Sequence, residues 1–209
     1  MKKTRGSQVA EVRDGFLFLG NQLVLDFLNT YPVLNGRPTE LLTDFKALLR
    51  WFQAAGLLTG GEAQRLQRQW GASDRARRTV EEMQQFREKV RAQVIAWESG
   101  KPIQAAVITE LNRLMRLRPM RMRLTVVGRP PTIEMWFDTE EPADLFAPLA
   151  HSAASFFGEV DRGRVRKCAN CVLHFHDTSK KGTRRWCSMQ FCGNRAKVAA
   201  YAARQRSRM

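Results

Sequence analysis

All four cysteines of this 209-residue chain fall into two close pairs, Cys168-x2-Cys171 and Cys187-x4-Cys192, with fifteen residues between the pairs. Two short pairs separated by roughly 15–20 residues are the spacing of a four-thiolate structural zinc site. The reason is geometric. Two residues between thiols let a tight knuckle aim both sulfurs at one point, and the intervening loop returns the chain to complete a tetrahedron. Cysteines scattered through a core would show no such pairing. A reducing compartment disfavours disulfides, and a redox reading of "CANC" lacks the strand-then-helix context such motifs occupy. The sequence therefore predicts one structural zinc held by Cys168, Cys171, Cys187 and Cys192.

His174 and His176 are the other candidate ligands, since imidazole also binds zinc. They alternate on an expected strand and share a face, and four thiolates already close the site. A catalytic zinc would need an open position and a nearby general base. Asp177 is the sole carboxylate after residue 161.

Charge is gathered in the same place. Residues 162–209 hold 13 Lys or Arg against that one acid, whereas residues 1–161 hold 22 basic and 19 acidic residues. A zinc with four thiolates carries a formal −2, so the module stays near +10. Small folded modules of such charge bind phosphate backbones. Candidate nucleic-acid contacts are Lys180 and Lys181 on a turn, Arg184 and Arg185 beside Trp186, and Arg195, Lys197 and Arg204 on a last helix that also carries Arg206 and Arg208. Arg184, Arg185 and Arg195 are candidates for a guanine edge. Trp186 either stacks on a base or packs beside the metal.

The rest of the chain reads mostly helical. "FLFLGNQLVLDFLNT", residues 16–30, predicts a short strand, a turn at Gly20-Asn21 and a buried helix. Leu41, Leu42, Phe45, Leu48, Leu49 and Phe52 have helical spacing with Gly56 as the stop, and "TGGE" at 59–62 is a capping box. Val80, Met83, Phe86, Val90, Val94 and Trp97 give one apolar face over 74–98, and Pro102 fits the first turn of a helix running to Leu117. Residues 122–139, with "RPP" at the turn, predict a β-hairpin, and the chain is helical again to Val160, with Pro148 a candidate for an early kink. "DRGRVRK" reads as a linker. "VLHFH" and "TRRWC" then predict a second hairpin around "DTSKKG", before a helix after Cys192. The expected fold is mainly α with a small β-hairpin (α+β): a helical domain over 1–161 and a treble-clef-like zinc finger over 162–209.

At these residues the chain resembles a known family. "FHDTSKK" and "RRWCSMQFCGNRAK" are similar to the CGNR zinc finger, and "GNQLVLDFLNT" with "DFKALLRWFQAAGLL" resembles the ABATE domain that precedes it in bacterial proteins. The resemblance implies a stress-induced transcription regulator whose finger binds DNA. It carries the four cysteines over as ligands and Arg184, Arg185, Asn194, Arg195 and Lys197 as motif positions.

Asp26, Asn29 and Thr30 sit inside an apolar segment and must be hydrogen-bonded if buried. They either line an effector pocket or anchor neighbouring elements. The expected function is a zinc-dependent regulator binding duplex DNA, its amino-terminal domain sensing a small molecule or forming a homodimer. An RNA-associated basic finger is the alternative. An enzyme is disfavoured, because there is no nucleophile motif, no phosphate loop, and only His151 outside the finger. No catalytic residue is assigned. The longest apolar runs fall short of a membrane span, and "MKKTRGSQVAEV" lacks the apolar core of a signal peptide, so the expected location is cytoplasmic.

Overall fold

The computed structural model describes residues 11–34, 36–126 and 130–206. The basic start over 1–10, Arg129 of the "RPP" turn and Arg208 lie outside the described residues. Two compact units form, one from residues up to Glu40 together with Asp161 onward, the other from Leu41–Val160. Along the chain the expected division falls at 161/162. In space the first forty residues group with the carboxy-terminal segment.

In the unit spanning Leu41–Val160, four helices precede a hairpin and a fifth follows it. Helix α2 (Phe45–Ala54) begins after Asp44, whose carboxylate accepts from the Ala47 N–H, so Leu41 and Leu42 precede the helix rather than open it. Gly56 follows with a φ of +74°, a conformation glycine adopts freely. Helix α3 (Gly60–Trp70) starts with the expected capping box of Thr59 and Glu62. Helix α4 (Asp74–Glu98) matches the expected range, with Ser73 as its cap and Val80, Met83, Phe86, Val90 and Val94 buried along one face. Helix α5 (Ala105–Leu117) starts three residues after Pro102. Pro102 lies outside the helix because Gln93 takes over the connection, donating to the Pro102 carbonyl and accepting from the Gln104 N–H.

Strands β5 (Arg121–Thr125) and β6 (Thr132–Trp136) pair antiparallel, giving the expected hairpin. A 3-10 turn at Pro142–Leu145 leads into α6 (Phe146–Glu159), with Pro148 in its first turn, where a missing N–H is tolerated. The core is aromatic. Phe86 meets Phe146 edge-on at 5.7 Å, and Trp97 packs on Phe156 and Phe157.

In the other unit, β1 (Glu11–Arg13) and β2 (Phe16–Phe18) pair across Asp14-Gly15, both at positive φ, the conformation of a tight hairpin turn. Asn21 also has positive φ and turns the chain into α1 (Leu23–Leu28), whose residues from Val24 on are buried. Strands β3 (Val33–Leu34) and β4 (Arg37–Pro38) form a small exposed pair. "DRGRVRK" is not a linker: it makes a 3-10 turn and then β7 (Val165–Lys167). β7 pairs with β8 (His174–His176), so the second hairpin closes across the first cysteine pair, and "TRRWC" is not its other strand. After one π-helical turn at Met189–Gly193, α7 (Asn194–Arg206) ends the described chain. Among the described residues, no helix is long and apolar enough to cross a membrane.

Candidate metal centre

The β7–β8 hairpin delivers the first cysteine pair and the turn before α7 delivers Cys192. The Cys168 N–H donates to the Leu173 carbonyl, tightening the knuckle that aims Cys168 and Cys171 inward. Ser188 caps the π turn, its carbonyl accepting from the Cys192 and Gly193 N–H groups. The four sulfurs all lie within 4.8 Å of one another, and the Cys171–Cys187 and Cys187–Cys192 Sγ separations are both 3.7 Å. A tetrahedron with Zn–S bonds of about 2.3 Å has edges of about 3.8 Å, whereas a disulfide needs about 2.05 Å. The donor set therefore fits one structural zinc, bound by thiolates alone.

The electrostatics agree. A hydrogen bond from Cys187 holds the Cys171 thiol down at about 5. Burial and the neighbouring Cys171 charge push Cys192 up to about 12, and the bond to Cys171 pushes Cys187 up. Four thiolates cannot crowd together without a central cation, and a divalent metal supplies that charge while displacing protons.

A small core wraps the sulfurs: Leu173, Phe175 and the three buried cysteines, with Trp186, Phe191 and Val172 packed on them. Trp186 is half-buried there, with the Arg185 guanidinium 5.6 Å from its ring centroid. Leu19 belongs to the same cluster, and Leu17 packs against it. The metal core is thus closed by residues that lie some 150 positions earlier in the sequence.

That early segment also pairs with β8. The His176 N–H donates to the Gly20 carbonyl at 2.7 Å, and Asn21 Nδ2 donates to the His176 carbonyl at 2.9 Å. Gln22 Nε2 meets His176 Nδ1 at 3.2 Å. Asn29 Nδ2 donates to the His174 carbonyl, and the His174 N–H donates back to Asn29 Oδ1. His174 is buried and His176 half-buried, and Gly20, Asn21 and Asn29 occupy the edge of β8 through its backbone groups. Neither imidazole is in the sulfur cluster.

Asp26, Asn29 and Thr30 are each buried and engaged within the fold. Thr30 Oγ1 donates to the Phe27 carbonyl, and Asp26 Oδ1 accepts from the Gly20 N–H at 2.6 Å. A Cβ at Gly20 would sit 2.6 Å from Leu25 Cβ and 2.9 Å from the Asp26 nitrogen, so only glycine allows this approach. Burial pushes the Asp26 carboxyl up to about 7, although hydrogen bonds from Gly20 and Leu19 and the charge of Arg13 pull the other way.

The sign follows directly. A folded-state pKa near 7 against about 3.9 in the unfolded chain means stability that is complete below pH 4 and lost as pH rises through 7. The span is worth about 4 kcal/mol. In urea titrations between pH 5 and 8, the wild type is expected to lose stability relative to Asp26→Asn as pH rises. Parallel pH profiles would contradict this assignment.

The basic residues divide into two sets. Arg184 is used internally: its N–H donates to Asp177 Oδ2, its guanidinium donates to the Cys187 carbonyl at 2.6 Å, and it lies 5.0 Å from the Phe175 ring centroid. Asp177, fully buried, also accepts from the Ser179 N–H, and Arg166 Nε lies 3.6 Å away. Burial pushes its carboxyl up, but these hydrogen bonds and the Arg184 charge outweigh that and hold it below the usual range. Arg164, which sequence reasoning passed over, ties the turn by donating to the Asp177 and Ser179 carbonyls. Lys180, Lys181, Arg185, Arg195, Lys197 and Arg204 are exposed. Helix α7 has no buried residue, and Val198 and Tyr201 are 68% and 58% exposed among its cations.

A closed four-thiolate centre with a helix launched from its last ligand defines a structural zinc finger. Residues 164–205 match the CGNR zinc finger, and residues 21–160 match ABATE, described as "Putative stress-induced transcription regulator". The chain belongs to the ABATE family. No curated protein matches it.

Proposed function

We propose that this chain is a one-component transcription regulator that binds duplex DNA through its zinc-held basic unit, while the helical unit dimerises or senses a small molecule. The observation that carries the reading is α7, a 13-residue helix with no buried residue, anchored at the metal site and bearing Arg195, Lys197, Arg204 and Arg206. A helix with no buried residue has no face committed to its own core, and a B-DNA major groove admits a helix. Lys180, Lys181 and Arg185 contact phosphates in this reading, and Arg195 is the candidate for a guanine edge. Arg184 serves the module's own architecture. Asp26, Asn29 and Thr30 act as anchors rather than as an effector pocket. The role is a binding one rather than an enzymatic one, exercised in a bacterial cytoplasm.

Binding of labelled duplex DNA and of matched RNA, measured across a salt series, tests this. The expected result is tighter duplex DNA binding with a steep salt slope. Arg204→Ala lowers that slope by about one, uniformly across sequences, and Arg195→Ala additionally relaxes sequence preference. Preference for RNA at matched salt would favour the RNA-associated reading. Slopes unchanged by both variants would overturn the assignment of α7.

A further inference from the structure

The β5–β6 hairpin carries an apolar face that its own unit leaves open. Side chains alternate along a strand, and the register sets Met122 opposite Met135 and Leu124 opposite Ile133 on one face, with Val126 continuing it. These five are 67%, 43%, 71%, 69% and 74% exposed respectively. Together they offer about 600 Å² of apolar surface, at the upper limit of patches on monomeric proteins. An isolated two-stranded hairpin is marginal in water, and among the described residues β5 and β6 pair only with each other.

The geometry points to a second copy of this chain as the occupant of that face, with two hairpins packed about a twofold axis. Three observations favour a copy. Two such faces would bury about 1,200 Å² in total, the low end of a standard interface. The opposite face is already neutralised by Arg121–Asp138 and Arg123–Glu134 ion pairs at 2.8 Å, so two hairpins meet without like-charge repulsion although the chain is +15 overall. The third is shape. At the base of the face, Met122 and Met135 border a cavity of about 280 Å³ that is also lined by Met115, Arg118, Met120, Ala147 and His151, with Arg118 held by Glu141 at 2.9 Å. Methionine-lined surfaces repack readily around a partner. Around a twofold axis the Leu124–Ile133 end of one hairpin fills the cavity at the base of the other, and the reverse contact is made by the same operation. The assignment specifies the dimerising option in the proposed function and the surface it uses.

The test is the solution mass of the full zinc-loaded chain by sedimentation across nanomolar to micromolar concentrations, with DNA binding measured on the same samples. The wild type is expected to sediment as a dimer. Leu124→Glu and Met135→Lys, each at an exposed position, are expected to weaken self-association by at least about a hundredfold, with unchanged circular dichroism. Mixing the two variants restores a dimer, because position 124 of one copy meets position 135 of the other. A monomeric wild type, or a dimer indifferent to Leu124→Glu, overturns the surface. A monomer that still binds DNA overturns this inference alone, whereas a dimer that binds no DNA counts against the DNA reading alone.

Discussion

Replacing Cys187 with serine is expected to abolish zinc binding and unfold the unit built from residues 11–40 and 161–206. Cys187 is 1% exposed and lies 3.7 Å from two other sulfurs, so its loss opens the tetrahedron at the centre of the core. Structural zinc contributes on the order of 10 kcal/mol of apparent binding free energy at neutral pH, which exceeds what so small a core supplies alone. Zinc content should fall from one per chain to none, and amide protection at His176 and Gly20 should disappear together. Helices α2 to α6 belong to the other compact unit and are expected to keep their protection. One zinc per chain retained by Cys187→Ser would mean that the ligand set is wrong.

The second large effect comes from Asn29, which is not one of the four ligands. Its amide exchanges two hydrogen bonds with the backbone of His174, at 3.2 and 3.3 Å, and it is fully buried. Asn29→Leu keeps the branched shape but strands a buried N–H and a buried carbonyl, each costing about 1–3 kcal/mol. The expected loss is therefore about 2–6 kcal/mol, with zinc released to a chelator markedly faster. Thr30→Val, which removes one local bond to the Phe27 carbonyl, should cost about 1 kcal/mol. If Asn29→Leu matches Thr30→Val in both measurements, residues 16–30 do not hold β8.

What was legible in the sequence was what is local. The metal centre needs thiols within a few ångströms, and knuckle geometry fixes their spacing along the chain. Helix α4 announces itself because Val80, Met83, Phe86, Val90 and Val94 repeat with the helical period over about four turns. The capping box at Thr59 is equally local. Two features were not legible, for a common reason. The partner of β8 depends on Asp177, whose carboxylate gathers Ser179 and Arg184 into a turn and leaves "VRK" upstream as the available strand. The role of "GNQLVLDFLNT" depends on side-chain amides reaching backbone groups 145 and 155 residues away. Neither contact leaves a periodicity. The buried Asn inside an apolar run was the one signal, and it indicated a satisfied polar group without naming its partner.

Arg184 makes the same point from the opposite direction. Its charge and its place in a basic cluster suggested a contact with nucleic acid, yet its guanidinium is held by the Cys187 carbonyl and the Phe175 ring. Formal charge counts cations without distinguishing those that build a module from those that face outward. The exposed set of Lys180, Lys181, Arg185, Arg195, Lys197 and Arg204 is still large enough to bind a polyanion.

The central claim is that zinc shapes this unit so that its outward cations grip duplex DNA. Fluorescence anisotropy of labelled duplex with the full chain at 150 mM salt, before and after zinc removal by a chelator and again after readdition, tests it most directly. The account predicts binding that is lost on chelation and recovered with zinc. Duplex binding of equal strength with and without the metal would contradict it.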